Sequence, residues 1–292
     1  MKRTVLIYCL LAFLISWLAK FIFCAEDLGW IVTVVPTGVL QLIASYGPSL
    51  AGLIVYNLEF RRKGWIAVMH SLTRVNVRMR WYLLALFFEL ASFILIVLFA
   101  NLTGYGDTSF ISDEISNSIL MFFVNTFTLT LLTGLGEEIG WRGFLLPKLQ
   151  SRFPVITAAL ILAFINSLWH LRTDLLSLLM KGDIHGFIIG YFPDMGLRIL
   201  ISLPIVFIMV YLFNKTGGSL FIMILYHGSA NASWEWVKQV TRIPDPSYLL
   251  PLWTVFLWLT AILFVPALLR QARNKELITC IFQPKQTSTP DQ

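Results

Sequence analysis

Apolar residues run along this chain in long blocks rather than in the alternating or one-faced patterns of soluble strands and helices. The blocks fall at about residues 4–24, 35–57, 81–101, 118–138, 154–172, 197–213, 219–234 and 249–269. A hydrocarbon core about 30 Å thick takes roughly 20 mostly apolar residues per helix, so the pattern predicts an all-α, polytopic membrane helix bundle of about eight transmembrane helices. The seventh block, SLFIMILYHGSANASW, is the shortest and carries several small and polar residues. In a membrane helix those residues usually face other helices or a cavity.

Composition agrees with the pattern. Of 292 residues, 57% are hydrophobic and 13% charged, against roughly 25% charged residues in an ordinary soluble domain. The sequence reads as one membrane domain over residues 1–277, with residues 278–292 as a polar, disordered tail. The first block resembles a signal peptide in having Lys2 and Arg3 before it, but its apolar stretch is longer than a signal core and further spans follow, so it is read as a span. Cys9, Cys24 and Cys280 lack metal-ligand spacing and are read as packing residues.

Charge adds an orientation. The net charge of +6 is spread over short loops rather than along one face, which speaks for topology signals and against nucleic acid as a partner. Lys2 and Arg3, the group Arg61, Arg62, Lys63, Arg74, Arg78 and Arg80, then Lys148 and Arg152, Lys215, and finally Arg270, Arg273 and Lys275 occupy alternate ends of the blocks. The intervening loops carry Glu26, Asp27, Asp107, Asp113 and Glu114. Both termini are therefore expected on the cytoplasmic side of a multi-pass protein, with a bacterial plasma membrane as the expected location and the lipid bilayer as its partner. No internal repeat of the transporter kind is evident.

Within such a chain the informative residues are the ionisable ones inside spans, because each costs a few kcal/mol there unless it meets a partner or a watery cavity. Glu89 stands alone and is read as structural, while His70 and His185 fall in loops and are read as solvated. Three local patterns remain. Glu137-Glu138-x-x-x-Arg142 sets Glu138 and Arg142 four apart, as an ion pair on one helix face, and turns Glu137 about 100° away. That separation would suit a free general base beside a neutralised partner; equally, the three charges could mark a helix end in the interface. Asn166 precedes His170 by one turn. His227 and Asn231, in the middle of the seventh block, again lie four apart on one face.

Taken together, Glu-Glu-x-x-x-Arg, a Trp169-His170 pair near the end of the next span, and His-x-x-x-Asn two spans later resemble the three motifs of the CAAX prenyl protease and bacteriocin-processing family of intramembrane peptidases. The resemblance is strongest over residues 118–234, the expected catalytic core, and extends to Gly47-Pro48-Ser49 and the Arg-rich loop before Trp81. It departs at Asn166, where the family's second motif usually carries Phe; Phe164 is nearby but out of register. The resemblance implies peptide-bond hydrolysis with Glu137 as the base that activates water, Glu138 and Arg142 as its support, and His170, His227 and Asn231 completing the site. The implied substrate is a hydrophobic or prenylated peptide, CAAX-type or bacteriocin-like. Glu137, His170 and His227 would alternatively supply a zinc triad with an open position, although no HExxH signature is present. The reading from a different class is a non-enzymatic immunity scaffold or a transporter.

Overall fold

The structure is a computed structural model that describes residues 2–105, 115–240 and 246–281. Among the described residues there is no strand, and every apolar block is helical. In lipid the backbone must satisfy its own hydrogen bonds, and a helix does so within one segment. The helices are α1 (Lys2–Asp27), α2 (Thr37–Phe60), α3 (Arg62–Leu72), α4 (Met79–Thr103), α5 (Ile115–Leu129), α6 (Leu135–Glu138), α7 (Leu146–Gln150), α8 (Val155–Trp169), α9 (Thr173–Met180), α10 (Ile184–Lys215), α11 (Leu220–Val240) and α12 (Leu250–Arg273).

Six helical stretches are long and apolar enough to cross a membrane, and a seventh if the bent pair α8 and α9 counts as one span. The bend between those two is 56°. The helix of the seventh block, α11, is outside that count because its polar residues, the ones that carry its motif, dilute its apolar character. The fourth block runs on as a helical stretch of 34 residues, Asn117–Gln150, so Glu137 and Arg142 lie well inside a helix rather than at its end. Its winding changes twice, at the π-helical turns Thr130–Gly134 and Ile139–Leu145 that flank the short α6. Such turns insert an extra residue and re-aim the side chains around them.

Small residues let this widened segment sit against its neighbours. A Cβ on Gly140 would overlap the carbonyl of Pro48 in α2, and one on Gly228 of α11 would overlap the backbone and hydroxyl of Thr130. Close backbone approach through small residues is how membrane helices associate where lipid removes the hydrophobic incentive. Ser49 Oγ adds a bond of 2.8 Å to the Leu135 carbonyl, and Tyr56 Oη one of 2.5 Å to that of Gly143. The wound segment is thus clamped between α2 and α11.

Several details differ from the sequence expectation. The Arg-rich second loop contains α3, whose buried Gly64, Ala67, Val68 and Ser71 recur at helical spacing but are masked by the surrounding charges. His185 lies in the first turn of α10 rather than in a loop, and is exposed there. Within the stretch assigned to the tail, Ile278 and Ile281 are buried, because the Ile278 backbone bonds both amides of a buried pair: its N–H donates to Asn214 Oδ1 at 2.9 Å and its carbonyl accepts from Gln150 Nε2 at 2.9 Å. Residues 282–292 of that stretch, and the loop charges Asp107, Asp113 and Glu114, lie outside the described residues. The basic segments gather at one end of the bundle. Lys148 pairs with Glu59 at 2.6 Å, Lys215 with Glu276 at 2.8 Å, and Arg74 reaches the Gly217 carbonyl at 2.6 Å.

Candidate active site

Glu137 and Glu138 occupy the single short α-helical turn between the two π-helical ones, and both are buried. The expected ion pair is present, with Arg142 Nη1 2.7 Å from Glu138 Oε1. The same oxygen also receives His227 Nδ1, at 2.7 Å. A carboxylate accepts only, so this contact places a proton on Nδ1 and turns Nε2 toward Glu137, whose Oε1 is 3.8 Å away. His227 therefore stands between the two glutamates, which the spacing within either motif alone does not reveal.

Glu137 is less well served. Its Oε2 accepts a long bond of 3.3 Å from Trp141 Nε1, and the carboxylate faces a cavity of about 220 Å³ lined also by Arg142, Asn166, His170, Tyr226, His227 and Asn231. The far side of Glu137 meets a second cavity, of about 280 Å³, walled by Ala19, Phe23, Leu40, Ala44 and Trp169 from α1, α2 and α8. Glu137 and His170 belong to both. The carboxylate and this imidazole thus stand on the wall between two chambers, each with polar and apolar lining, the second also carrying Lys20, Gln41, Ser45 and Thr173.

His170 ends α8, where the chain bends into α9. The corner is held from α1: Trp17 Nε1 donates to the Trp169 carbonyl at 3.0 Å, and Lys20 Nζ to that of Leu171 at 2.8 Å. Asn231 Nδ2 donates to Thr133 Oγ1 at 2.9 Å, and Thr133 Oγ1 in turn donates to the Leu129 carbonyl at 2.8 Å. One Asn231 N–H is so used, and its second remains for the cavity it lines. Asn166, the position that departs from the family motif, points into the polar cavity, whereas Phe164 is 51% exposed on the outer surface. A Phe four residues before His170 would have lined the cavity instead.

All the sequence-predicted site residues therefore come together: Glu137, Glu138, Arg142, His170, His227 and Asn231 on one polar centre. Among the described residues no three of His, Cys, Asp and Glu are grouped so as to hold a metal ion, and the closest imidazole contact of the glutamate pair is spent on Glu138, not Glu137. Sequence reasoning missed Thr133, which fixes Asn231, and Tyr226, which lines the cavity. It also missed Lys20 and Arg198, ionisable residues inside apolar blocks whose position near the block ends disguised the signal that picked out the others.

Comparison with known proteins agrees with these motifs. Residues 116–233 match the family model described as type II CAAX prenyl endopeptidase Rce1-like. Over 130 residues the chain is 30% identical to CAAX prenyl protease 2 of Methanococcus maripaludis, a match covering 44% of this chain and 46% of that protein. The matched region thus spans a little under half the length of the relative. The family-model match, residues 116–233, contains all six residues of the polar centre, and over that stretch the chain is similar to the type II CAAX prenyl endopeptidase Rce1-like family.

Proposed function

We propose that the protein is an intramembrane endopeptidase in which Glu137 activates water for attack on a peptide carbonyl. The observation that carries this reading is the placing of Glu137: a buried carboxylate with one long hydrogen bond, opening on a cavity shared with two imidazoles and two carboxamides. A water between Glu137 and His170 gives its proton to the Glu137 carboxylate as its oxygen bonds to the carbonyl carbon. The oxyanion that forms is met by the free N–H of Asn231 and by His227, which with Nδ1 engaged by Glu138 donates from Nε2 in its imidazolium form. Glu137 then passes the proton to the departing amine as the C–N bond breaks, and the carboxylate is regenerated. Glu138 and Arg142 hold His227 in register.

The substrate this arrangement favours is a hydrophobic peptide, prenylated or bacteriocin-like, whose apolar part occupies the chamber beside α1 and α2. The basic end of the bundle is assigned to the cytoplasm, with the N-terminus and the end of α12 on that side, following the enrichment of Lys and Arg there. Purified protein should cleave a quenched farnesylated or hydrophobic peptide, and Glu137→Gln should not, while keeping its melting temperature. Normal turnover by that variant would remove Glu137 from the role of base, and absence of turnover by the unaltered protein would favour the scaffold reading.

A further inference from the structure

Hydrolysis as described uses neither Lys20 nor Arg198, yet both lie at the site. They line, with His170, Arg172, Thr173 and Asp174, an opening that abuts both chambers. Lys20 and Thr173 are shared with the chamber beside α1 and α2, Arg198 with the one that holds His227 and Asn231, and His170 with both.

The charges of this mouth do not balance. Arg198 Nε bonds Asp194 at 2.8 Å, and Arg172 bonds Asp174 at 2.6 Å and Asp194 at 3.4 Å. Three cations, counting Lys20, thus share two carboxylates, and among the described residues Lys20 has none within ion-pair distance. Its Nζ donates to the Leu171 carbonyl at 2.8 Å and lies 5.3 Å from the Trp169 ring. An ammonium has three N–H donors, and neither a carbonyl nor an aromatic face neutralises it. This half-buried cation shares the second chamber with the Glu137 carboxylate but is not paired to it, so it has donors left for an anion that arrives with the ligand.

We propose that Lys20 and Arg198 form an anion subsite that takes the free C-terminal carboxylate of the peptide being cleaved. The inference rests on the peptidase reading and deepens it. A peptide with its apolar group between α1 and α2 and its scissile carbonyl at Glu137 leads its end past His170 into the mouth. Arg198 presents guanidinium donors from α10 and Lys20 its ammonium from α1, and both line the mouth. A lipid or free phosphate carries the same kind of charge, so the test compares peptide ends directly.

The experiment uses full-length Glu137→Gln protein in detergent and two fluorescent hydrophobic peptides that differ only in ending as carboxylate or carboxamide. Fluorescence anisotropy should show the carboxylate peptide bound about tenfold more tightly, the low end for a hydrogen bond to a charged group. Adding Lys20→Met should bring the ratio toward one, and Lys20→Arg should restore it. Lys20→Met carries the test because Arg198→Gln also breaks the Asp194 ion pair. Equal binding of the two peptides, no binding of either, or a ratio that survives Lys20→Met with Arg198→Gln overturns the subsite; if inorganic phosphate displaces both peptides equally, the mouth is a phosphate site instead. Turnover by the unaltered protein separates the two readings: cleavage without regard to the peptide end leaves the peptidase and removes the subsite, and carboxylate-selective binding without cleavage does the reverse.

Discussion

Glu89 and Glu137 are both buried carboxylates, and their surroundings differ in kind. Glu89 on α4 accepts a 2.6 Å bond from Tyr226 Oη, and Ser92 Oγ, which donates to the Glu89 main-chain carbonyl at 2.7 Å and lies 3.3 Å from the carboxylate, accepts from Trp253 Nε1 at 3.1 Å. Its neighbours are bulky: Phe93 stacks on Trp253 at 4.7 Å and Phe88 on Tyr226 at 6.5 Å. Glu137 has one long bond and stands among Gly134, Gly136 and Gly140, with a cavity on either side. Oxygens that already have partners, behind closely packed rings, can only hold structure together. A carboxylate left short of donors beside open space can take up water and a proton. Helices α4 and α11 carry the first arrangement, and α11 carries both Tyr226, which serves Glu89, and His227, which faces Glu137, so the rigid centre braces the reactive one.

If that contrast is right, its largest consequence is kinetic. Glu137→Gln keeps the size and one acceptor of the side chain but removes the basic oxygen, and general-base catalysis is typically worth about 10²–10⁴-fold. A loss of that order in kcat with little change in KM, measured on a quenched peptide, is expected, because the variant still binds substrate and fails only at the transition state. A rise in KM at full kcat would make Glu137 a binding residue and blur the distinction from Glu89.

The next effect is on stability and falls on the neighbouring glutamate. Glu138 accepts from both Arg142 and His227 on one oxygen, and breaking a buried ion pair from one side costs about 3–5 kcal/mol. Glu138→Gln should lower the detergent melting temperature far more than Glu137→Gln does, and adding Arg142→Gln should restore part of the loss by removing the orphaned charge. Activity should not return with stability, since His227 still lacks its carboxylate. Equal melting temperatures for the two single variants would mean that the adjacent glutamates share one role.

Steric dependence comes third. The Glu137 centre depends on backbones in contact, and a methyl group on Gly140 would run into the Pro48 carbonyl, which cannot swing aside as a side-chain end could. Overpacking of this kind costs about 1–3 kcal/mol, so Gly140→Ala should reduce melting temperature and activity together. No similar sensitivity is expected on α4, where Ala85 and Ser92 already carry a Cβ beside their neighbours.

Much of this was legible in the sequence, and the parts that were not share a physical cause. Block length and the lipid constraint on the backbone made the all-α bundle readable, and four-residue spacing made the Glu138–Arg142 pair readable. Motif spacing could not reveal that His227 Nδ1 meets Glu138, because that contact joins two helices 89 residues apart in the chain. The π-helical turns were hidden for a related reason: Thr130–Gly134 and Ile139–Leu145 are ordinary apolar and glycine sequence, and their extra winding comes from fitting α2 and α11. Lys20 and Arg198 were readable in principle. They are charges inside apolar blocks, and only their nearness to block ends made them look like flanking residues. Ile278 reads as tail in the sequence because the polar residues after it dominate the local composition, while its burial depends on Gln150 and Asn214.

The smallest expected effect probes the braced side of the comparison. Glu89→Gln retains an oxygen for Tyr226 Oη and an amide able to reach Ser92, so it should cost about 1 kcal/mol, the net worth of an ordinary hydrogen bond, and leave peptide turnover near that of the unaltered protein. Tyr226→Phe should cost a similar amount from the other end of the same bond, and the double variant should cost less than the two singles added, because they remove one shared interaction. The readout is a double-mutant cycle in melting temperature beside turnover of the quenched peptide for each variant. A loss of turnover in Glu89→Gln as deep as in Glu137→Gln, at an unchanged melting temperature, would show that Glu89 takes part in the chemistry, and that a short bond from Tyr226 behind packed rings is not what separates a structural carboxylate from a reactive one here.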